Sequence, residues 1–225
     1  MSDQIRPEEL SDEEGVFLVR LARRAVEHYF EKGEKLSPPP ETPSRLMRAG
    51  AAFVTITTYY TYEHRELRGC IGYIYPLKSL AETVIDVALE AAFRDPRFPP
   101  MEKEELEKVT FEVSVLSPLE RLPENPLERV SRVVPGKHGV LVKKGFYQGL
   151  LLPEVPVEYL WDTETFLAET CVKAGLPPHC WLDEDTEVYV YYTSNWREVE
   201  PRGPIEKRIL AKEYKEYLER YLSRA

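Results

Sequence analysis

The chain has 225 residues, enough to bury the core of one large domain or of two closely packed lobes. Its formal net charge of −9 disfavours binding to nucleic acid or to anionic membranes. No apolar run approaches the roughly 20 residues of a membrane span, and the start Met1-Ser2-Asp3-Gln4 lacks the basic and apolar regions of a signal peptide. We therefore expect a cytoplasmic protein.

Two further features of the composition concern habitat and redox state. Charged residues make up 31% of the chain, whereas asparagine and glutamine occur twice each, a balance typical of thermophile proteins. The three cysteines, Cys70, Cys171 and Cys180, show no Cys-x-x-Cys spacing and cannot all pair within one chain. The sequence therefore predicts thiols.

The first predicted element is a helix that begins after Ser11, whose partner in a capping box is Glu14. It extends to about Lys32 and stops at Gly33. Its predicted apolar stripe consists of Phe17, Leu21, Ala25 and Tyr29. The prolines at 38–40 and Pro43 then predict an extended connector.

Two β-prone segments follow, and a polar break at 63–66 separates them. The first covers Ala52 to Tyr60, and the second covers Leu67 to Tyr75, so we expect an antiparallel hairpin. Alternation in the second strand places Leu67, Ile71, Tyr73 and Tyr75 on a core face, and Arg68, Cys70, Gly72 and Ile74 on the other.

The opposite face of this hairpin is the candidate site. Gly69 and Gly72 flank Cys70, and glycine within a strand marks a bulge or the close approach of a ligand or another backbone. If Val54 and Ile56 face the core, Thr55 and Thr57 place their hydroxyls near Arg68 and Cys70. The alternative is a small buried cysteine beside a surface charge.

The next segment is predicted to be a helix that ends in a rigid loop. A capping box of Ser79 and Glu82 starts the helix, and Asp95-Pro96 ends it. Three prolines restrict the loop 95–100, which favours presentation of the Arg97 guanidinium. The alternative is a simple helix stop with Phe98 in the core. A short helical turn over 102–108 and a half-buried strand from Val109 follow.

From Leu119 onward, prolines and glycines divide the chain into shorter elements, which predicts a smaller lobe. A second hairpin joins 140–142 to 146–152, and a helix capped by Asp162 or Thr163 ends at Gly175 with Cys171 in its core face. A strand covers Thr186 to Thr193. The final helix, Ile205 to Leu222, is predicted to carry an apolar, tyrosine-rich side, which could pack on its own domain or on a second copy: Leu210, Tyr214, Tyr217, Leu218 and Tyr221.

Short strands joined by turns, with helices in no regular βαβ order, predict an α+β fold with mostly antiparallel sheet flanked by helices. We expect one domain over residues 1–225. Its larger lobe would cover roughly 1–118 and 183–225, and its smaller lobe 119–182, with a cleft between them.

A reactive cysteine needs a cation or base to favour its thiolate. Arg68 is a candidate cation, and His138, between glycines in the loop 136–139, is the best candidate base. No metal site is predicted, because Cys171, His179 and Cys180 have no recognised ligand spacing. The absence of a Walker loop, Gly-x-Gly-x-x-Gly and His-Glu-x-x-His leaves no predicted cofactor.

Several motifs together resemble a known family: Leu67-Arg68-Gly69-Cys70-Ile71-Gly72, Asp95-Pro96-Arg97-Phe98-Pro99-Pro100, Gly136-Lys137-His138-Gly139, Leu151-Leu152-Pro153-Glu154-Val155, Trp161-Asp162 and Cys171-Val172-Lys173-Ala174-Gly175-Leu176. On these motifs the chain is similar to the AMMECR family over roughly residues 17–200. Its six-residue signature is complete here. The residue balance adds the expectation of a thermophilic archaeal source.

The resemblance implies an α+β protein with a larger and a smaller lobe and the signature at the cleft between them. It implies no established activity. Roles in transcription, repair, translation or RNA processing have been proposed for the family, and prokaryotic relatives occur fused to or beside Memo-like and radical S-adenosylmethionine proteins. The resemblance therefore indicates those two protein classes as candidate partners in a modification pathway.

Two classes of function follow. In the first, a binding or accessory module uses Arg68, Gly69, Gly72 and Arg97 to hold a small anionic ligand or a partner peptide. In the second, Cys70 serves an enzyme or an enzyme subunit, with His138 as base. The binding hypothesis is favoured because the sequence offers no clear general base.

Two expectations follow for the candidate site. His138 and Arg97 should both border the recess over Cys70, one from each lobe. Gly72→Val should give a folded protein that has lost its ligand, because valine suits a strand.

Overall fold

The computed structural model describes residues 4–223, so Met1-Ser2-Asp3, used above against a signal peptide, lies outside the described residues. Within them the chain forms six α-helices and eight strands. The helices are α1 (Asp12–Lys32), α2 (Leu80–Phe93), α3 (Pro126–Arg132), α4 (Val155–Tyr159), α5 (Thr163–Lys173) and α6 (Leu210–Leu222). The strands are β1 (Ala51–Tyr59), β2 (Arg65–Tyr73), β3 (Val109–Leu116), β4 (Glu120–Arg121), β5 (His138–Lys144), β6 (Tyr147–Leu151), β7 (Glu187–Glu198) and β8 (Ile205–Arg208).

The strand order is β2-β1-β3-β7-β5-β6, with β4 and β8 also pairing with β7. The registers of β1 with β2 and β3, and of β5 with β6, are antiparallel. The predicted α+β class with antiparallel sheet is therefore confirmed.

Two compact units share the chain. The first contains Met1–Ser117 and Ser194–Arg208, and the second contains Pro118–Thr193 and Ile209–Ala225. The boundary between the units at Ser117/Pro118 lies close to Leu119, where prolines and glycines become frequent in the sequence. The prediction placed residues 183–193 and 209–225 in the larger lobe. In the structure these residues belong to the second unit. The predicted lobes and their cleft stay a prediction.

In the first unit, α1 and α2 form a core with β1 and β3. The capping of α1 is as predicted, since Ser11 Oγ accepts from the Glu14 N–H at 3.2 Å and Gly33 closes the helix at φ +72°. The predicted stripe of α1 was only partly right. Leu21 and Ala25 are buried, but Tyr29 is 40% exposed. The buried face instead continues through a neighbouring set of side chains: Leu18, Val19, Ala22 and Val26.

One buried ion pair ties the ends of the first unit together. Arg23 Nη2 lies 2.6 Å from Glu198 Oε2, and Glu198 also accepts from the backbone N–H of Phe111 at 3.0 Å. Both charged side chains are almost fully buried. Since removing one partner would leave an uncompensated buried charge, this pair fixes Glu198, in the first unit, relative to α1.

The second unit has its own core of β5, β7 and α5 residues. Asp162 caps α5 by accepting from the Thr165 N–H at 2.8 Å, and the turn between β5 and β6 uses Gly145 at φ +60°. The buried Arg129 donates to the carbonyl oxygens of Trp181, Asp183 and Thr186. A single guanidinium therefore holds the segment that precedes β7.

Two predictions for the chain beyond residue 170 were wrong. Cys171 and Cys180 form a disulfide rather than two thiols, and it joins α5 to the 3-10 turn at 180–182. The prediction of thiols depended on an expected reducing compartment and on the lack of Cys-x-x-Cys spacing, and neither of these excludes a disulfide between two cysteines that the fold brings together. The final helix begins at Leu210 instead of Ile205, because Ile205–Arg208 forms β8 on β7.

Among the described residues, no helix has the length and apolar character needed to cross a membrane.

Candidate functional site

The candidate site lies on the hairpin of β1 and β2, which we call the signature hairpin. Cys70 stands opposite Thr55 in the antiparallel register, and Thr55 Oγ1 donates to Cys70 Sγ at 3.2 Å. The hydroxyl therefore lies beside the thiol, as alternation predicted. Cys70 is half-buried and is not part of the disulfide.

A β-bulge changes the alternation at the start of β2. Ile56 pairs with Gly69 but Thr57 pairs with Leu67, so Arg68 is the extra residue between them. Ile71 and Tyr73 pack against the core as predicted. Leu67 and Tyr75 do not, since they are 42% and 44% exposed. The predicted core face was therefore wrong at both of its ends.

Arg68 is buried and engaged in the fold. Its Nε and Nη2 bind the two carboxylate oxygens of Glu105 at 2.6 and 3.0 Å, and Nη2 also donates to the carbonyl of Pro99 at 2.9 Å. The pairing with Arg68 lowers the pKa of Glu105. With its side chain only 10% exposed, Arg68 anchors the loop 95–100 and is not an open cation beside the thiol. Its Nη1 is buried without a hydrogen-bond partner among the described residues.

The cation at the surface is Arg97, and Asp95 holds it there. Asp95 accepts from the Arg97 backbone N–H at 3.1 Å, from Nε at 2.9 Å and from Nη2 at 2.6 Å. Asp95 Oδ2 also accepts from the Cys70 N–H at 2.9 Å, and Arg97 Nη2 donates to the Cys70 carbonyl at 3.2 Å. We call these two side chains on the Cys70 backbone the Asp95–Arg97 clamp.

The clamp fixes the charge state of both of its members. The Arg97 guanidinium, with the N–H of Cys70, lowers the pKa of the buried Asp95 carboxyl to about 2. In turn the hydrogen bonds to Asp95 raise the pKa of Arg97. The Arg97 side chain is 46% exposed, and among the described residues its Nη1 has no hydrogen-bond partner. Arg97 is therefore a fixed, accessible cation next to Cys70.

Asp95 was not among the predicted site residues. Asp95-Pro96 was interpreted as a helix stop, although an acidic residue two positions before the proposed cation Arg97 is a signal that the sequence contains. Asp and Asn side chains commonly bond the backbone two residues further on, which is the Arg97 N–H here.

The two glycines of the signature are needed for packing inside the first unit. A Cβ added at Gly69 would lie 2.1 Å from the Ala91 carbonyl oxygen, so α2 packs directly on this strand. A Cβ at Gly72 would lie 2.1 Å from the Phe53 ring, which covers the glycine from the paired strand. The predicted bare recess over Gly72 was therefore wrong. The expectation that Gly72→Val suits the sheet was also wrong, because valine would displace an aromatic ring.

Thr57 and the polar side chains near it serve a separate network. Thr57 Oγ1 lies 2.8 Å from Thr110 Oγ1, which also accepts from Arg65 Nη1 at 3.0 Å. Among the described residues Thr57 makes no hydrogen bond to Arg68, so the predicted proximity of these two side chains stays a prediction. Further along β3, Glu112 binds Arg208 with both carboxylate oxygens at 3.0 Å. These contacts join β3 to β1, β2 and β8 within the first unit.

His138 is the first residue of β5, in the second unit. Its Nδ1 accepts from the Val134 N–H at 3.1 Å, so the neutral ring carries its proton on Nε2. Burial, with the nearby Lys137 charge, lowers the pKa of His138. With Nδ1 engaged, neither nitrogen of the neutral ring has a free lone pair for accepting a proton. Its role as base or as rim of a recess stays a prediction.

No cluster of three or more His, Cys, Asp or Glu side chains suited to a metal ion occurs within residues 4–223.

The fold and this geometry define a class: α+β proteins in which a Leu-Arg-Gly-Cys-Ile-Gly edge strand is held by an Asp-Pro-Arg loop. The AMMECR1 family model matches residues 19–196. This chain therefore belongs to the AMMECR1 family, as the motifs predicted.

Relatives from thermophilic archaeal genera cover most of the chain. A Thermococcus gammatolerans protein is 50% identical over 201 residues, which is 89% of this chain and 98% of that protein. An Aeropyrum pernix protein is 50% identical over 209 residues, covering 93% of this chain and 89% of that protein. The crystal structure of the uncharacterized protein PH0010 from Pyrococcus horikoshii matches with a TM-score of 0.87 at 49% identity, covering 90% of this chain and 100% of that one.

Proposed function

We propose that the protein is a binding or accessory module whose signature hairpin holds an anionic group of a small ligand or of a partner protein. One observation carries this proposal: Arg97 is a rigidly held guanidinium, half exposed, with Nη1 unused among the described residues. A fixed guanidinium loses little conformational entropy on binding, and its planar nitrogens suit carboxylate and phosphate oxygens.

The geometry changes which residues belong to the proposal. Arg68 and Gly69 support the loop and the helix behind the strand, so they act through Arg97 and Cys70 rather than by contact with the ligand. Thr55 and Cys70 supply a hydroxyl and a thiol beside the cation.

A cysteine-dependent enzyme is the second candidate, because the Cys70 thiol accepts from the Thr55 hydroxyl and lies next to the Arg97 guanidinium, and a nearby cation is the setting that a cysteine nucleophile needs. It is the weaker candidate, since such an enzyme needs a group that accepts a proton. The carboxylate nearest to the Cys70 backbone is Asp95, whose pKa of about 2 makes it a poor base at neutral pH.

The setting of this binding function follows from the family resemblance. A modification pathway shared with Memo-like or radical S-adenosylmethionine proteins would supply the partner, and a cytoplasmic location belongs to the same proposal. The net charge of −9 supports a protein or small-molecule ligand over a nucleic acid.

The test uses Cys70 as a reporter of the neighbouring cation. Iodoacetate carries a carboxylate and iodoacetamide does not, and both alkylate a thiolate with loss of iodide. We expect the ratio of the iodoacetate to the iodoacetamide rate at Cys70, measured by mass spectrometry at pH 7.5, to exceed that of a model thiol about three- to tenfold, the effect of one positive charge several ångströms away. Phosphate should lower this ratio by competition.

Arg97→Gln should lower the ratio to that of the model thiol or below it, because the ionised Asp95 carboxylate then stands beside Cys70 without its cation. Arg94→Gln is the matched control, because Arg94 is three residues away, 73% exposed in its side chain and paired with Glu90. A ratio in the wild type equal to that of the model thiol would refute the anion site. Iodoacetamide rates far above the model thiol, unchanged by Arg97→Gln, would favour the enzyme instead.

A further inference from the structure

The strand that carries the signature has one unpaired edge. β2 stands at the end of the strand order, and within residues 4–223 only β1 pairs with it. An exposed edge of this kind is a template for an added strand unless side chains or other elements cover it.

The Asp95–Arg97 clamp covers this edge at a single residue. Asp95 accepts from the N–H of Cys70, and Arg97 donates to its C=O. These are the two bonds that a residue of a neighbouring antiparallel strand would make with Cys70. The backbone of Cys70 therefore points away from β1, and the clamp stops any added strand at this position.

The backbone of Gly72 points to the same edge. In an antiparallel ladder the residues of one strand alternate between the two sides, so Gly72, two positions beyond Cys70, also directs its N–H and C=O away from β1. Among the described residues, Gly72 makes no hydrogen bond outside its pairing with β1. The Phe53 ring lies over Gly72 and adds an apolar surface about 7 Å along the strand from Cys70.

We propose, on the basis of the binding function above, that the ligand is the C-terminal tail of a partner protein, added as a short strand along the β2 edge. Its backbone pairs with Gly72, an apolar side chain near its end packs against Phe53, and its terminal carboxylate binds Arg97 Nη1. A chain terminus fits this place better than an internal segment for two reasons. The clamp leaves no backbone to pair with beyond Gly72, and a fixed guanidinium stands where the added strand has to end.

The experiment selects peptides from a displayed library of random heptapeptides with free C-termini, using the whole protein as bait. Selected peptides are then measured by fluorescence polarisation as the free acid and as the C-terminal amide. We expect amidation and Arg97→Gln each to weaken binding at least tenfold. The two effects should not add, because both remove the same contact. Arg94→Gln should leave binding unchanged.

Backbone pairing has its own readout. The amide proton of Gly72 should exchange at least tenfold more slowly when the peptide is bound, as measured by NMR. Binding that leaves the Gly72 amide unprotected, or that is equally strong with amidated peptides, would overturn the proposal. So would concentration-dependent dimers that protect Gly72 without any peptide, because the occupant would then be a second copy of the chain.

The outcomes also distinguish the tail-binding proposal from the proposed anion site at Arg97. If the iodoacetate preference depends on Arg97 but no free-acid peptide is enriched, the tail-binding proposal fails and the anion site stands. If neither is observed, both proposals fail.

Discussion

Asp95 shows how a single side chain organises this site. It orients the Arg97 guanidinium and satisfies the backbone N–H of Cys70. Residue types in the sequence were enough to indicate a cation and a thiol, but they did not tell which arginine is accessible. Both Arg68 and Arg97 were expected to hold the ligand, but a one-residue bulge turns Arg68 toward Glu105, so of the two only Arg97 is accessible.

The clamp predicts a pH dependence of stability. In the folded protein the pKa of Asp95 is about 2, below its ordinary value of 3.8, so the unfolded chain binds the proton more readily. The contribution, about 2 kcal/mol for a shift of this size, is complete above pH 4 and is lost as the pH falls toward 2. Asp95→Asn lacks it at every pH. Urea unfolding should therefore show a gap between wild type and variant that shrinks from pH 5 to pH 2.

Other carboxylates titrate in the same range, but they do so in both proteins and cancel in the difference. A gap that stays constant between pH 5 and pH 2 would contradict the proposed ionisation of Asp95 in the fold.

At the scale of elements, local signals predicted the ends of helices well. Capping boxes at Ser11 and Ser79 and the stop at Gly33 depend on residues a few positions apart, so the sequence contains them in full. The strand β8 and the disulfide were missed, because each depends on pairing with another segment of the chain rather than on a pattern within its own residues. Ile205–Arg208 pairs with β7 as an antiparallel strand, and this pairing outweighs the helical pattern of its sequence.

The disulfide gives a prediction for the second unit. Cys171 and Cys180 enclose a loop of nine residues' separation, and closing a loop of that size stabilises the fold by about 2–3 kcal/mol in the chain-entropy model. Dithiothreitol should lower the free energy of unfolding of the wild type by that amount in urea. Cys70→Ala should respond in the same way, because its thiol is not in the bond. Cys171→Ala/Cys180→Ala should be insensitive, and equal sensitivity of this double variant would argue against the pairing.

For the whole molecule, the sequence predicted the fold class and the family, and the motifs that carry both are distributed from Leu67 to Leu176. The order of the motifs is a property of the chain, so the sequence alone shows it. Which motif residues touch each other is a property of the fold, and Asp95 with Cys70 became visible only there. Charge lies between these two cases, because the composition gives the net charge but not how the charged side chains are distributed over the surface.

The net charge of −9 leads to a prediction on nucleic acids. Non-specific binding to RNA or DNA depends on lysine and arginine neutralising phosphates and has dissociation constants of about 10⁻⁴–10⁻⁶ M. A chain with an excess of acidic residues should bind a fluorescently labelled 20-nucleotide RNA more weakly than that at 150 mM salt, as measured by polarisation. Arg97→Gln should change nothing in this assay. The opposite result would be a dissociation constant within about 10⁻⁴–10⁻⁶ M that rises steeply between 50 and 150 mM salt, with binding lost in Arg97→Gln. The signature hairpin would then be a binding site for the phosphate backbone of RNA, and RNA processing would again be a candidate function.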